Sequence, residues 1–224
     1  HLRFTRQSSA TDLSSSLLIA DCQHFEAHHV RFDQPGDESP SFRRRGAALA
    51  WRPQESRSRR ETQVILRDVV FAGAHPAVYL DSLPNRFAAD NVLKVGHGDF
   101  VQLNDSGAAT WVCDLRQVTL RGTGPLLRCW TTQETSPLSR LTLSATGCVF
   151  DLERPTNRSN SETTARPALI AWMTARLPSN WTTAIDWQLT ATLVSPDIDV
   201  ITRADPSTGR RTPIDESRLN IDGL

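Results

Sequence analysis

Five times along the chain, two short apolar runs flank a turn rich in Gly, Pro or polar residues. The first two units are Val30-Arg-Phe32 with Ala47-Ala-Leu-Ala-Trp51, and Val69-Val-Phe71 with Ala77-Val-Tyr-Leu80. Next come Val92-Leu93 with Phe100-Val-Gln-Leu103, and Val118-Thr-Leu120 with Leu126-Leu-Arg-Cys-Trp130. Cys148-Val-Phe150 with Ala168-Leu-Ile-Ala-Trp172 closes the series. Repetition at roughly 20–50 residues marks stacked architectures, in which a single unit cannot bury its own apolar face. The runs are short and rich in Val, Leu, Ile and Phe, which favour extended chain. Leu17-Leu-Ile19, Val64-Ile-Leu66, residues 112–115 and Leu141-Thr-Leu143 read as strands on the same ground. Phe32, Phe71, Leu93, Leu120 and Phe150 are the expected anchors of successive units. Helical spacing is almost absent; the one stretch able to support it is Arg86-Phe-Ala-Ala-Asp-Asn91.

The corners carry suitable chemistry. Ala72-Gly-Ala-His-Pro76, Val95-Gly-His-Gly98 and Arg121-Gly-Thr-Gly-Pro125 occupy matching places in three successive units. Gly reaches positive φ cheaply, and Pro sets the corner while ending the ladder. The short Asn-Gly and Asp-Gly turns that close antiparallel hairpins are missing apart from Asp222-Gly223 at the very end. Stacked parallel turns are therefore favoured over a β-sandwich. Residues 34–62 and 154–164 are largely polar and read as loops thrown out from the stack. We expect one domain over residues 1–224, with stacked turns over 16–172 and a Trp-containing cap and tail over 173–224.

Composition fits a thin stack more than a compact globule, with hydrophobic residues at 38%. Acidic and basic residues balance at 25 each, so no global field steers the chain toward nucleic acid or anionic lipid. No apolar stretch approaches the ~20 residues of a membrane-spanning helix. The opening His1-Leu-Arg-Phe-Thr-Arg6 has neither Met nor the apolar core of a signal peptide, which suggests a processed chain or a piece of a longer one. Cys22, Cys113, Cys129 and Cys148 lie too far apart for paired zinc spacing and sit in or beside apolar runs, so buried thiols are expected.

Short strands leading into apolar rungs with Gly-bearing corners resemble the right-handed parallel β-helix of the pectin-lyase-like superfamily. More narrowly, residues 113–129, the rung at 141–150 and the Ile185-Asp-Trp-Gln188 segment resemble β-helix regions attached to planctomycete serine/threonine kinases. The resemblance implies an all-β solenoid of about five turns, one per repeat. It also implies an extracytoplasmic place beyond a membrane span, with any kinase activity belonging to other sequence.

The superfamily contains lyases and hydrolases, so their motifs are the candidate chemistries of this chain. Gly96-His97-Gly98 resembles an element of polygalacturonase-type hydrolases, but the grouped carboxylates that such chemistry needs are missing: no Asp-Asp occurs. Arg211-Thr-Pro-Ile-Asp-Glu216 approaches a lyase Arg motif and ends in Glu where Arg belongs. His24, His28 and His29 cluster in an extended rung without an evident further ligand. No nucleophile elbow, zinc-protease helix or phosphate loop is present. We therefore assign no catalytic, metal or cofactor residue. Two features could meet a ligand: the rings of Trp172, Trp181 and Trp187, which could stack on sugars, and the anion-matching guanidinium run Arg43, Arg44 and Arg45. Core tryptophans and a solvated loop are their plainer readings. The leading expectation is a non-catalytic extracytoplasmic binding or scaffold module for a protein or carbohydrate, and the resemblance implies the sensor region of a membrane-anchored kinase-like protein. The alternative is an enzyme acting on an acidic polysaccharide, and three or more charged side chains converging on one face would favour it.

Overall fold

In the computed structural model the apolar runs are strands, each paired with its counterpart one unit away. The structure describes residues 2–5, 16–20, 22–33, 46–52, 61–105, 110–131, 139–153, 166–174, 181–205, 211–214 and 221–222. The chain visits two sheets in turn. β1 (Leu2–Thr5) lies in the first and β2 (Leu17–Ala20) in the second. β3 (His24–His28) and β4 (Val30–Asp33) return to the first before β5 (Leu49–Arg52) enters the second. β6 (Gln63–Ala72) and β7 (Val78–Leu80) repeat the passage, as do β8 (Arg86–Val95) and β9 (Val101–Asp105). β10 (Thr110–Arg116) and β11 (Thr119–Thr123) then lead to β12 (Leu127–Thr131), and β13 (Arg140–Thr146) and β14 (Val149–Leu152) to β15 (Ala168–Met173). β16 (Ile185–Thr190) and β17 (Leu193–Val194) precede β18 (Asp199–Ala204). β19 (Arg211–Pro213) closes the second sheet, and β20 (Ile221–Asp222) pairs with β16. Among the described residues every pairing is parallel except β18 with β19. The result is an all-β, solenoid-like curled stack, and its parallel strands continue past Trp172 through β18.

The curl has a local cause. Once per pass the first sheet turns at one residue in the left-handed region: His29, Asp68, Asn91, Gln117, Gly147 and Ala191, with φ between 49 and 62. These corners follow directly on partners in register, Arg67 beside Asp90 and Arg116 beside Thr146, so they form a column. Asn91 Nδ2 donates to Asp68 Oδ1 at 2.6 Å, and His29 Nδ1 stands 3.4 Å from Asp68 Oδ2. Asn and Asp tolerate this conformation because their short polar chains bond locally. At the next bend the backbones close up: a Cβ on Gly98 would collide with the His75 carbonyl, so only Gly fits.

Inside the curl, like-placed apolar side chains form columns. In the first sheet one column runs Val64, Phe87, Cys113, Leu143 and Trp187, each essentially inaccessible. In the second, Leu49, Val78, Val101, Leu127, Ile170 and Ile201 do the same. Phe32 and Phe71 stack with centroids 5.0 Å apart. One expectation fails here. The residue that continues Phe32 and Phe71 toward Leu120 and Phe150 is Lys94, and Leu93 points the other way and is half-buried. Arg86 to Asn91 likewise belongs to a strand, β8, because sheet partners on both sides satisfy its backbone.

Candidate functional site

Strands of the second sheet alternate, so one set of side chains should face water. Most of that outer set is buried instead, including Ala50, Gln102, Ala171, Met173, Thr202 and Ala204. β15 is buried at every position. A parallel sheet covered on both faces is the ordinary arrangement. What distinguishes this face is its polar content at the centre, on β7, β9 and β12.

Two closed networks sit there. In the first, Arg52 Nε donates to Asp81 Oδ2 at 2.7 Å, while Asp81 Oδ1 accepts from the Tyr79 hydroxyl at 3.0 Å and from Asn104 Nδ2 at 3.1 Å. Asn104 Nδ2 also donates to the Tyr79 hydroxyl at 2.7 Å. In the second, Arg128 grips Asp99 with two bonds, Nε to Oδ2 at 2.5 Å and Nη2 to Oδ1 at 2.8 Å. Gln102 Nε2 donates to Asp99 Oδ2 at 2.6 Å. Arg and carboxylate in this two-pronged geometry form the strong class of ion pair. Burial opposes the Arg128 charge, yet Asp99 beside it more than compensates and holds the guanidinium above its ordinary range. Within these networks, Gln102 Oε1 and Asn104 Oδ1 are buried acceptors without a hydrogen-bond partner among the described residues. Such orphaned acceptors are costly unless a donor reaches them.

Lys94, on β8 of the first sheet, is buried, and its Nζ donates to the carbonyls of Gly73 at 2.6 Å, Val95 at 3.2 Å and Gly96 at 3.3 Å. Three carbonyls match the three donors of an ammonium. Burial lowers its pKa from 10.5 to about 8, with Asp99 pulling the other way. His97, from the Gly-His-Gly element, is largely exposed and bonds through Nδ1 to Glu153 Oε2.

The remaining candidates fall as follows. Trp172 and Trp187 point into the core, 3% and 1% exposed, so neither offers a ring to a sugar. Trp181 opens a short 3₁₀ turn and packs partly buried against that core. Arg43, Arg44 and Arg45 lie outside the described residues, as does the 154–164 loop. His24 and His28 flank Glu26, at 3.8 and 2.8 Å, on the exposed face of β3. Among the described residues no group of three or more His, Cys, Asp or Glu could hold a metal ion. None of the four cysteines forms a disulfide; Cys113, Cys129 and Cys148 are buried as expected, whereas Cys22 is only half-buried, and burial pushes the Cys113 and Cys148 thiols up.

Sequence reasoning overlooked Tyr79, Gln102, Asn104 and Arg128. A signal existed, since Val78-Tyr-Leu80, Val101-Gln-Leu103 and Leu127-Arg-Cys129 each set a polar residue between two inward apolar ones. Compared with protein-family models, curated proteins and solved structures, the chain matches none.

Proposed function

We propose that this chain is a non-catalytic binding or scaffold module built as a right-handed parallel β-helix, with the outer face of the second sheet as its ligand surface. Parallel strands joined by crossover connections are right-handed in the great majority of proteins, which supports the handedness. The extracytoplasmic setting, and a link to a membrane-anchored kinase, come with the resemblance to kinase-attached β-helix regions. The observation that carries the function is the state of the two carboxylates at the centre of the face. Both oxygens of Asp81 and both of Asp99 are already bonded within the protein. A general acid or base must be free to exchange a proton with substrate. Held this way, the pair provides rigidity, while the Arg52 guanidinium, 60% exposed beside Asp81, offers a donor to a ligand.

Arg52, Asp81, Asp99 and Arg128 do gather on one face, and that gathering favours the second reading, an enzyme of acidic polysaccharides. The two readings part in one experiment. Incubated with polygalacturonate and with neutral galactan, the protein binds polymer by affinity electrophoresis without generating unsaturated products in the ultraviolet. Arg52→Ala weakens the retardation by polygalacturonate. Product formation that Asp81→Asn eliminates would establish the enzyme instead.

A further inference from the structure

The first sheet bends once per pass, and the limb beyond the bend carries an apolar line on its outer face. Phe32, Phe71, Lys94, Leu120 and Phe150 point inward there, so the residues on either side of them point outward. Val70, Leu93, Thr119, Val149 and Leu193 form one outward column in register. Ala72, Val95, Arg121 and Asp151 form the other. Of the four large hydrophobic side chains exposed among the described residues, three lie on this face: Val95, Val149 and Leu193. Val95 and Val149 are exposed although a strand flanks each on both sides, so no sheet edge accounts for it. Exposed apolar side chains gathered on one face mark an interaction surface, which singly scattered ones do not.

The charges on the face fit it to itself. Arg121 and Asp151 are partners in register on β11 and β14, exposed and opposite in sign. A two-fold axis along the strands, midway between β11 and β14, lays β11 of each copy on β14 of the other and β8 on β17. Arg121 then stands opposite Asp151 twice, and the four charges alternate in sign. Leu93 meets Leu193, and Thr119 meets Val149. Val95 meets the small Ser195, whose hydroxyl lies 3.5 Å from Asp151 Oδ1 in its own chain. Aligned face-to-face packing is an ordinary way for sheets to associate, and a two-fold contact requires this self-complementarity.

We propose that the outer face of β8, β11, β14 and β17 is a homodimer surface, on which a second copy of the chain docks about that axis. It belongs to the first sheet, apart from the second-sheet surface assigned to ligand. The face is only two columns wide between its bends, so the pair is weak and dissociates on dilution.

Sedimentation equilibrium of the full chain tests this. Wild type forms a reversible dimer populated at about 0.1 mM. Arg121→Asp or Asp151→Arg alone sets like charges opposite each other twice and weakens the dimer about ten-fold or more. The double variant, Arg121→Asp with Asp151→Arg, restores the alternation and recovers wild-type affinity to within about three-fold. Both residues are exposed, so the far-ultraviolet dichroism of all three variants stays that of wild type. Independently of any variant, diluting wild type shifts the methyl NMR signals of Val149 and Leu193 but not those of buried Val101. A wild type that stays monomeric at that concentration, a dimer indifferent to both single reversals, or a double variant no tighter than the singles overturns the proposal. So do Val149 and Leu193 methyl signals that ignore concentration, the result expected if a different protein covers this face.

Discussion

Lys94 is the only lysine in the chain and stands in a column otherwise built from Phe32, Phe71, Leu120 and Phe150. A buried ammonium is tolerated because three corner carbonyls accept its three protons. Its position was not legible, since Val92-Leu93 is the apolar pair and a hydropathy reading selects Leu93; only the register with β6 shows the phase. Below about 8 the amine is charged in folded and unfolded chains alike, and its burial cost is felt in full. Between about 8 and 10.5 the unfolded chain holds a proton that the folded chain has released, so stability rises with pH. Cys113 and Cys148 work in the opposite direction at high pH, because burial raises their pKa, and they are common to wild type and variant. The difference between wild type and Lys94→Met isolates the amine. Denaturant unfolding should show that difference moving in favour of wild type by about 2 kcal/mol between about pH 7 and about pH 10.

At the scale of the element, each pass of the first sheet depends on one left-handed residue. His29, Asp68, Asn91, Gln117 and Gly147 are polar or glycine, but the sixth member is Ala191, with φ of 49. A non-glycine side chain in this region costs roughly 1–2 kcal/mol, less for Asn. Ala191→Asn should therefore stabilise the fold by about 0.5–1 kcal/mol, a rise of about 1–4 °C in thermal unfolding, and Ala191→Val should lower it. The strands themselves were legible because Val, Leu, Ile and Phe recur in short runs between Gly-bearing corners. The left-handed column was not, because residues as different as His29 and Gln117 share it and only stacking aligns them. The polar centre was half-legible. Tyr79, Gln102 and Arg128 show their phase in the sequence, whereas the Arg128–Asp99 pair joins residues from different passes and needs the fold.

For the whole molecule, repetition foretold that passes pile up in parallel, and the two sheets do so from β1 to β18. Such a stack is held by nearest-neighbour contacts, and the second sheet ends on the antiparallel β19. The direct test of the parallel stack is a survey of interstrand Hα–Hα contacts by NMR, because facing residues come close in this way in antiparallel ladders. The account predicts them between β18 and β19, at Thr202 with Pro213 and Ala204 with Arg211, with Phe87 ring protons touching Val64 and Cys113. Hα–Hα contacts between β6 and β8, or between β10 and β13, would contradict it.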